Sequence, residues 1–238
     1  MKLCVVSMSG GLDSTTLAYK AIEDGFTILP INIDYGQLNI IEKECFRNIF
    51  TEMKNTFGNR VLDFIEIDTN AIYNQNGLIY SSLRDSGIIN KETSMEYYTP
   101  SRNLLFSIIS GVVGEITSFY MNVDEIKIGL GVHKHSIYDR DYWDISPEFV
   151  KRLNSLLELN DCKSIELYTP FVDNYKKEIV EVGIELKVPW QKTWTCYNPN
   201  QKDNLFAPCL KCEACLERKK AAEGTLLENK INNYQFKI

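Results

Sequence analysis

Apolar and polar positions along this chain follow two alternating periods. The run Leu3-Cys4-Val5-Val6 is short and continuously apolar, as a strand buried on both faces requires, and Ile28 to Ile33 repeats the pattern. Between them Ser14 to Glu23 has helical spacing, Ile40 to Met53 predicts a second helix, and Val61 to Ile67 predicts a third strand. Strands that alternate with helices in this way imply a parallel sheet with right-handed crossovers. After Pro100, the positions Leu104, Leu105, Ile108, Ile109, Val112, Val113 and Ile116 recur at helical spacing, and Glu125 to Gly131 predicts a fourth strand. Helices from Pro147 to Leu159, with proline in the first turn, and from Tyr175 to Leu186 complete the set. Residues 70–99 have no clean period, and so long a span in a compact domain predicts a lid or mobile segment. The expected fold is α/β: an open, mainly parallel doubly wound sheet over residues 1–190, then a small cysteine-bearing segment over 191–238.

Composition narrows the class of function. At 238 residues and 44% hydrophobic, the chain can bury a substantial core. A net charge of −6 disfavours broad contact with a nucleic-acid backbone and favours a small-molecule substrate. The start has no signal-like pattern, and no stretch approaches the roughly 20 apolar residues of a membrane span. A cytoplasmic protein without membrane contact is expected. In that reducing compartment the spacing of the seven cysteines matters more than their number.

The densest chemistry lies in Ser9-Gly10-Gly11-Leu12-Asp13-Ser14, between the first strand and the first helix. Adjacent glycines let the backbone turn close to an anion, and the following helix aims free N–H groups and its positive dipole end at the same point. A carboxylate repels phosphate unless a cation intervenes. Asp13 is therefore expected to help hold Mg²⁺, with hydroxyls supplied by Ser9 and Ser14. The spacing is not that of a Walker loop, and a glycine turn without ligand remains the ordinary alternative. In an open parallel sheet, ligands lie beyond the carboxyl ends of the strands where strand order reverses. That rule gathers this loop, the strand end at Asp34-Tyr35 and the strand end at Gly129 to His133. Asp34 and Tyr35 also fit a plain strand-end turn. Arg102 and Asn103 precede a helix, where the guanidinium could grip phosphate or carboxylate, or form a local salt bridge. His133 and His135 could line a pocket, face solvent or pair on a metal.

Cys196, Cys209, Cys212 and Cys215 form a C-x12-C-x2-C-x2-C array. Three thiolates on one tight turn with a fourth returning from a distance suit a structural Zn²⁺, although such spacing also suits an iron–sulfur cluster. Four thiolates leave no position for water, so the metal is expected to pin the segment. Cys4, Cys45 and Cys162 read as ordinary buried or half-buried thiols.

The hexapeptide matches the SGGxDS signature of the PP-loop ATP pyrophosphatases, an adenine-nucleotide alpha-hydrolase-like fold. Together with Asp34-Tyr35-Gly36-Gln37, Pro100-Ser101-Arg102-Asn103 and Thr193-Trp194-Thr195-Cys196-Tyr197, it resembles the 7-cyano-7-deazaguanine synthase family of queuosine biosynthesis. The resemblance runs from the first strand to the helix after Cys215. It implies a ligase that uses ATP and Mg²⁺, carries structural zinc, and converts 7-carboxy-7-deazaguanine and ammonia to a nitrile through adenylated intermediates. An enzyme that stops at the amide or adenylates another deazapurine, and a non-catalytic zinc-stabilised nucleotide- or RNA-binding module, are the alternatives. It further implies catalytic roles for Asp13, Ser14, Arg102 and Lys176. Met8, Ser9, Gly10, Gly11, Leu12, Asp13, Ser14, Thr15, Asp34 and Tyr35 are the implied ATP contacts. The implied deazapurine contacts are Gln37, Arg102, Asn103, Gly131, His133, Tyr142, Trp143 and Asp144, and a homodimer is compatible. The chain departs from the family where Tyr-Pro-Asp-Cys-Arg becomes Tyr142-Trp143-Asp144-Ile145-Ser146 and where Pro-Gly-Arg-Asn has Ser101 for glycine. Loss of that arginine removes a positive charge that His133, Lys134, His135 or Arg140 could replace.

Overall fold

The structure, a computed structural model, describes residues 1–36, 40–73, 78–86, 99–134, 142–160 and 164–237. Among these residues the main sheet has strands β1 (Lys2–Ser7), β2 (Thr27–Asp34), β3 (Ile65–Asp68), β4 (Glu125–Gly129) and β5 (Ile165–Tyr168). All neighbours are parallel, in the order β3-β2-β1-β4-β5. The order reverses between β1 and β4, where Val6 lies opposite Gly129. Helices α1 (Leu12–Glu23), α2 (Ile40–Phe57), α3 (Asn70–Tyr73), α4 (Leu78–Asp85), α5 (Arg102–Tyr120), α6 (Pro147–Leu157), α7 (Lys176–Glu185) and α8 (Glu213–Ala222) complete the main elements. A small antiparallel sheet of β6 (Asn200–Lys202), β7 (Leu205–Ala207) and β8 (Phe236–Lys237) lies in the C-terminal segment.

The two faces of β1 are both apolar, so helices must cover both. Cys4 and Val6 join Leu17 and Ile22 of α1, Phe46, Ile49 and Met53 of α2, and Ile179 and Val180 of α7 in one cluster. Leu3 and Val5 join Ile126, Ile128, Phe149 and Leu153 in the other, with Leu104, Ile109 and Val113 of α5 packed against it. Small residues bring α5 close to the sheet, for a Cβ on Gly114 would lie 2.9 Å from Ile126 Cγ2. Among the described residues α5 is the one helix long and apolar enough to cross a membrane, which corrects the expectation that no stretch approaches that length. Its inner side serves as a layer of the sheet domain.

The four expected strands and the helices flanking them are present with shifted ends. The third strand starts at Ile65, and Val61 makes only an isolated bridge to Ile28. The reading of periodicity left out β5, whose four residues are too few to display a period. Of residues 70–99, the described parts form α3 and α4 or begin the turn into α5, while 74–77 and 87–98 lie outside the described residues. The C-terminal segment shares the main core: Ala221, Ala222 and Ile231 pack with α1 and α7. Trp194, Cys196, Cys215 and Tyr234 pack with Ile41 and Cys45 of α2.

Candidate functional site

The loop between β1 and α1 sits at the point where strand order reverses. Gly10 has φ +83°, and a Cβ there would lie 2.6 Å from Phe46 N and 2.7 Å from Glu42 O, so both the turn and the contact with α2 require glycine. Trp194 N–H donates to Gly10 O at 3.0 Å, tying the loop to the C-terminal segment. Ser9 Oγ accepts from Gly11 N–H at 3.2 Å, and Ser9 N–H donates to Ser14 Oγ at 3.3 Å. No side chain caps α1, which leaves its first-turn donors directed at the cleft.

Asp13 meets a lysine and a histidine. Its Oδ2 lies 3.1 Å from Lys176 Nζ at the start of α7 and 3.7 Å from His133 Nε2 just beyond β4. Burial by itself would raise the carboxyl, but Lys176 and then His133 outweigh it and hold Asp13 well below the usual carboxylate range. The other oxygen, Oδ1, is buried with no hydrogen-bond partner among the described residues. A buried carboxylate oxygen left without a donor beside a phosphate-type loop suits a divalent cation. Burial opposes the charge of Lys176, yet Asp13 and Glu217 together raise its pKa, so it stays an ammonium.

These groups line a cleft of about 320 Å³. Of the residues expected in the site, Met8, Ser9, Gly11, Leu12, Asp13, Ser14, Tyr35, Arg102, Asn103, Gly131, His133, Tyr142, Asp144 and Lys176 line it. Gly131 comes so near α1 that its Cβ would lie 3.2 Å from Ser14 N. Arg102 lies 6.0 Å over the Tyr35 ring. Asp144 Oδ2 accepts from Asn103 N–H at 3.2 Å, which places the carboxylate in the first turn of α5 where the dipole favours it.

Four expected contacts do not line the cleft. Gly10 and Thr15 shape the loop from behind, Thr15 Oγ1 donating to Gly11 O at 2.7 Å. Asp34 pairs with Lys43 and accepts from Gly36 N–H at 3.0 Å. Trp143 is half-exposed and meets the Phe149 ring edge-on with centroids 5.5 Å apart. Ser146 caps α6 by accepting from Phe149 N–H at 3.1 Å. Gln37, His135, Arg140 and Cys162 lie outside the described residues.

The reading of motifs missed Glu42, Glu213 and Glu217, which line the cleft as well. Burial pushes Glu42 up to about 7, with Arg102 opposing the shift. Glu217 follows Cys215 by two residues, and that proximity to the cysteine array was the available signal. Arg218 is fully buried and donates to the carbonyls of Ile231 at 3.0 Å, Trp190 at 2.8 Å and Thr193 at 3.3 Å. It fastens α8 to the sheet domain.

The four cysteines Cys196, Cys209, Cys212 and Cys215 converge, with their sulfurs all within 4.8 Å of one another. Zinc–thiolate bonds of about 2.3 Å put the sulfurs of a tetrahedron about 3.8 Å apart. Cys196 Sγ and Cys212 Sγ are 3.9 Å apart. Leu210 takes a left-handed φ of 62°, and backbone N–H groups of Cys209 and Cys212 donate to the sulfurs of Cys196 and Cys209. Donors aimed at sulfur favour the thiolates that a metal needs. Cys4 and Cys45 are buried in the core, as ordinary thiols.

Residues 3–226 match the family model described as queuosine biosynthesis protein QueC. The chain is 34% identical over 232 residues to a 7-cyano-7-deazaguanine synthase of Leptospira interrogans, covering 95% of this chain and 88% of that protein. It is 30% identical to one of Psychromonas ingrahamii, covering 97% of each. Among solved structures it is similar to a predicted subunit of tRNA methyltransferase from Methanocaldococcus jannaschii, 14% identical with a TM-score of 0.43, covering 78% of this chain and 75% of that one.

Proposed function

Because this chain belongs to the QueC family of queuosine biosynthesis proteins, we propose that it converts 7-carboxy-7-deazaguanine and ammonia to 7-cyano-7-deazaguanine at the expense of ATP. The observation that carries this reading is the phosphate loop at the switch point, with Lys176 and an unpartnered Asp13 oxygen beside it in a cleft that also holds Arg102.

A carboxylate is a poor electrophile. Its oxygen therefore attacks the α-phosphorus of ATP, the α–β bond breaks, and pyrophosphate leaves behind an acyl-adenylate. Ammonia adds to the acyl carbon, a proton is lost, and AMP departs to give the amide. The amide oxygen attacks the α-phosphorus of a second ATP with release of pyrophosphate, and loss of AMP with two protons from nitrogen leaves the nitrile. The protein's share is alignment and charge compensation. The N–H groups opening α1 and the hydroxyls of Ser9 and Ser14 hold phosphate oxygens. Lys176 offsets the growing charge, and Arg102 grips a phosphate or the substrate carboxylate. Asp13 Oδ1 is the oxygen that would hold Mg²⁺, which when bound neutralises the triphosphate. His133, Tyr142 and Asn103 face the deazapurine. Zinc on the four cysteines pins the C-terminal segment. The use of ATP and of reduced thiols supports a cytoplasmic activity.

The amide is the second reading: Ser146, which caps α6, brings no positive charge to the segment that the resemblance assigns to the substrate. Mass spectrometry of a reaction with ATP, Mg²⁺, ammonium and 7-carboxy-7-deazaguanine tests both. Nitrile with AMP is expected from the wild type and none from Asp13→Asn, while accumulation of amide alone supports the second reading. Absence of any ATP consumption overturns the enzyme.

A further inference from the structure

Lys176 lies between two carboxylates brought from distant parts of the chain. Its Nζ is 3.1 Å from Asp13 Oδ2 in the phosphate loop and 2.9 Å from Glu217 Oε2 on α8. The Lys176 and Glu217 side chains are each only 6% exposed. A buried ammonium needs one opposite charge, and a second buried carboxylate is costly unless something else claims the first. Asp13 is the carboxylate that a nucleotide-bound cation would claim. With Asp13 Oδ1 engaged there, the charge of Asp13 is shared between the cation and Lys176, and Glu217 gives Lys176 a second carboxylate that the cation does not draw on.

We infer that Glu217 is a positioning residue: from the metal-binding segment it holds Lys176 against the phosphate loop independently of Asp13, leaving Asp13 to the cation and Lys176 to the triphosphate. The support for Glu217 is built into the fold. Neighbouring Arg218 fastens α8 through carbonyls of Trp190, Thr193 and Ile231, and Cys212 and Cys215 at the start of the same helix belong to the thiolate cluster. The metal site thus sets the register of the helix that delivers a carboxylate to the nucleotide site.

The inference rests on the nucleotide reading of the cleft, and its test separates the two. Calorimetry measures binding of α,β-methylene-ATP with Mg²⁺ to wild type, Glu217→Gln, Lys176→Met and the double variant, with zinc content and melting temperature on the same preparations. Glutamine keeps the volume and removes the charge. Glu217→Gln should weaken binding by about tenfold or more, as loss of a buried charge partner does. Metal content and a cooperative melt should persist. In the Lys176→Met background it should cost nothing further, because a residue acting through another is non-additive with it. Equal affinity of wild type and Glu217→Gln overturns the inference, as does a loss equally large in the Lys176→Met background. Should Glu217→Gln fail to melt cooperatively, the same cycle with Glu217→Asp, too short to reach Nζ, decides by the same criterion. A wild-type protein that binds no analogue overturns the nucleotide reading, and the inference with it.

Discussion

Glu42 is a cleft carboxyl that burial carries from the ordinary 4.5 up to about 7, against the attraction of Arg102. A raised value means that the folded protein prefers the protonated form. Its contribution to stability is therefore full below about pH 4.5 and is lost as pH rises through about 7. Glu42→Gln imitates the neutral acid at every pH. It should melt with wild type near pH 4.5 and above it at pH 8, by an amount on the order of 1 to 3 kcal/mol. An equal gap at both pH values would remove the titration of Glu42 from the account. Single residues were unevenly legible. Ser9, Asp13 and Ser14 stand in a motif, whereas Glu42 and Glu217 stand in ordinary helical sequence and become site residues only through the packing of α2 and α8 against the loop. Trp143, singled out as a departure, packs on Phe149 and not in the cleft.

At the scale of elements, the start of α5 carries local strain. Its N-cap Ser101 has φ 54° and ψ 26°, a left-handed conformation that costs an L-residue about 1 to 2 kcal/mol and glycine little. Ser101→Gly should therefore stabilise the protein by about 0.5 to 1 kcal/mol after allowing for the looser unfolded chain. For a chain of this size that is a rise of about 2 °C in melting temperature. Scanning calorimetry of the two proteins checks it, and an unchanged or lower value refutes strain at Ser101. The elements were legible where apolar runs were long enough to show a period, as in α1, α2, α5 and β2. They were not where four residues form a strand only by pairing with a neighbour, as β5 does with β4.

For the whole molecule, the cysteine cluster is the joint between segment and sheet domain. Cys196 and Cys215 pack in one buried cluster with Cys45 of α2 and Trp194, whose backbone holds Gly10. Metal binding should therefore be coupled to folding well beyond the four ligands. About one Zn²⁺ per chain is expected. Cys212→Ser should lose the metal together with the sharp single unfolding transition. Elemental analysis and a melting curve decide this, and stoichiometric iron with a visible absorption band would overturn the zinc assignment.

The sequence by itself determined the α/β class, the glycine turn between β1 and α1, and the array of four cysteines that could hold a metal. Those features depend on residue types at short fixed spacings, and local geometry follows from them directly. Only the tertiary structure decided which carboxylates serve the cleft. Asp13, Lys176 and Glu217 are far apart along the chain, and Asp144, Arg102 and Glu42 likewise. Their meeting depends on strand order, on the close approach that Gly10, Gly114 and Gly131 permit, and on a C-terminal helix fastened by Arg218 against the sheet domain. Charge makes the difference matter. A buried ion is stable only beside its partner, and no spacing along the chain reveals which partner the fold will bring.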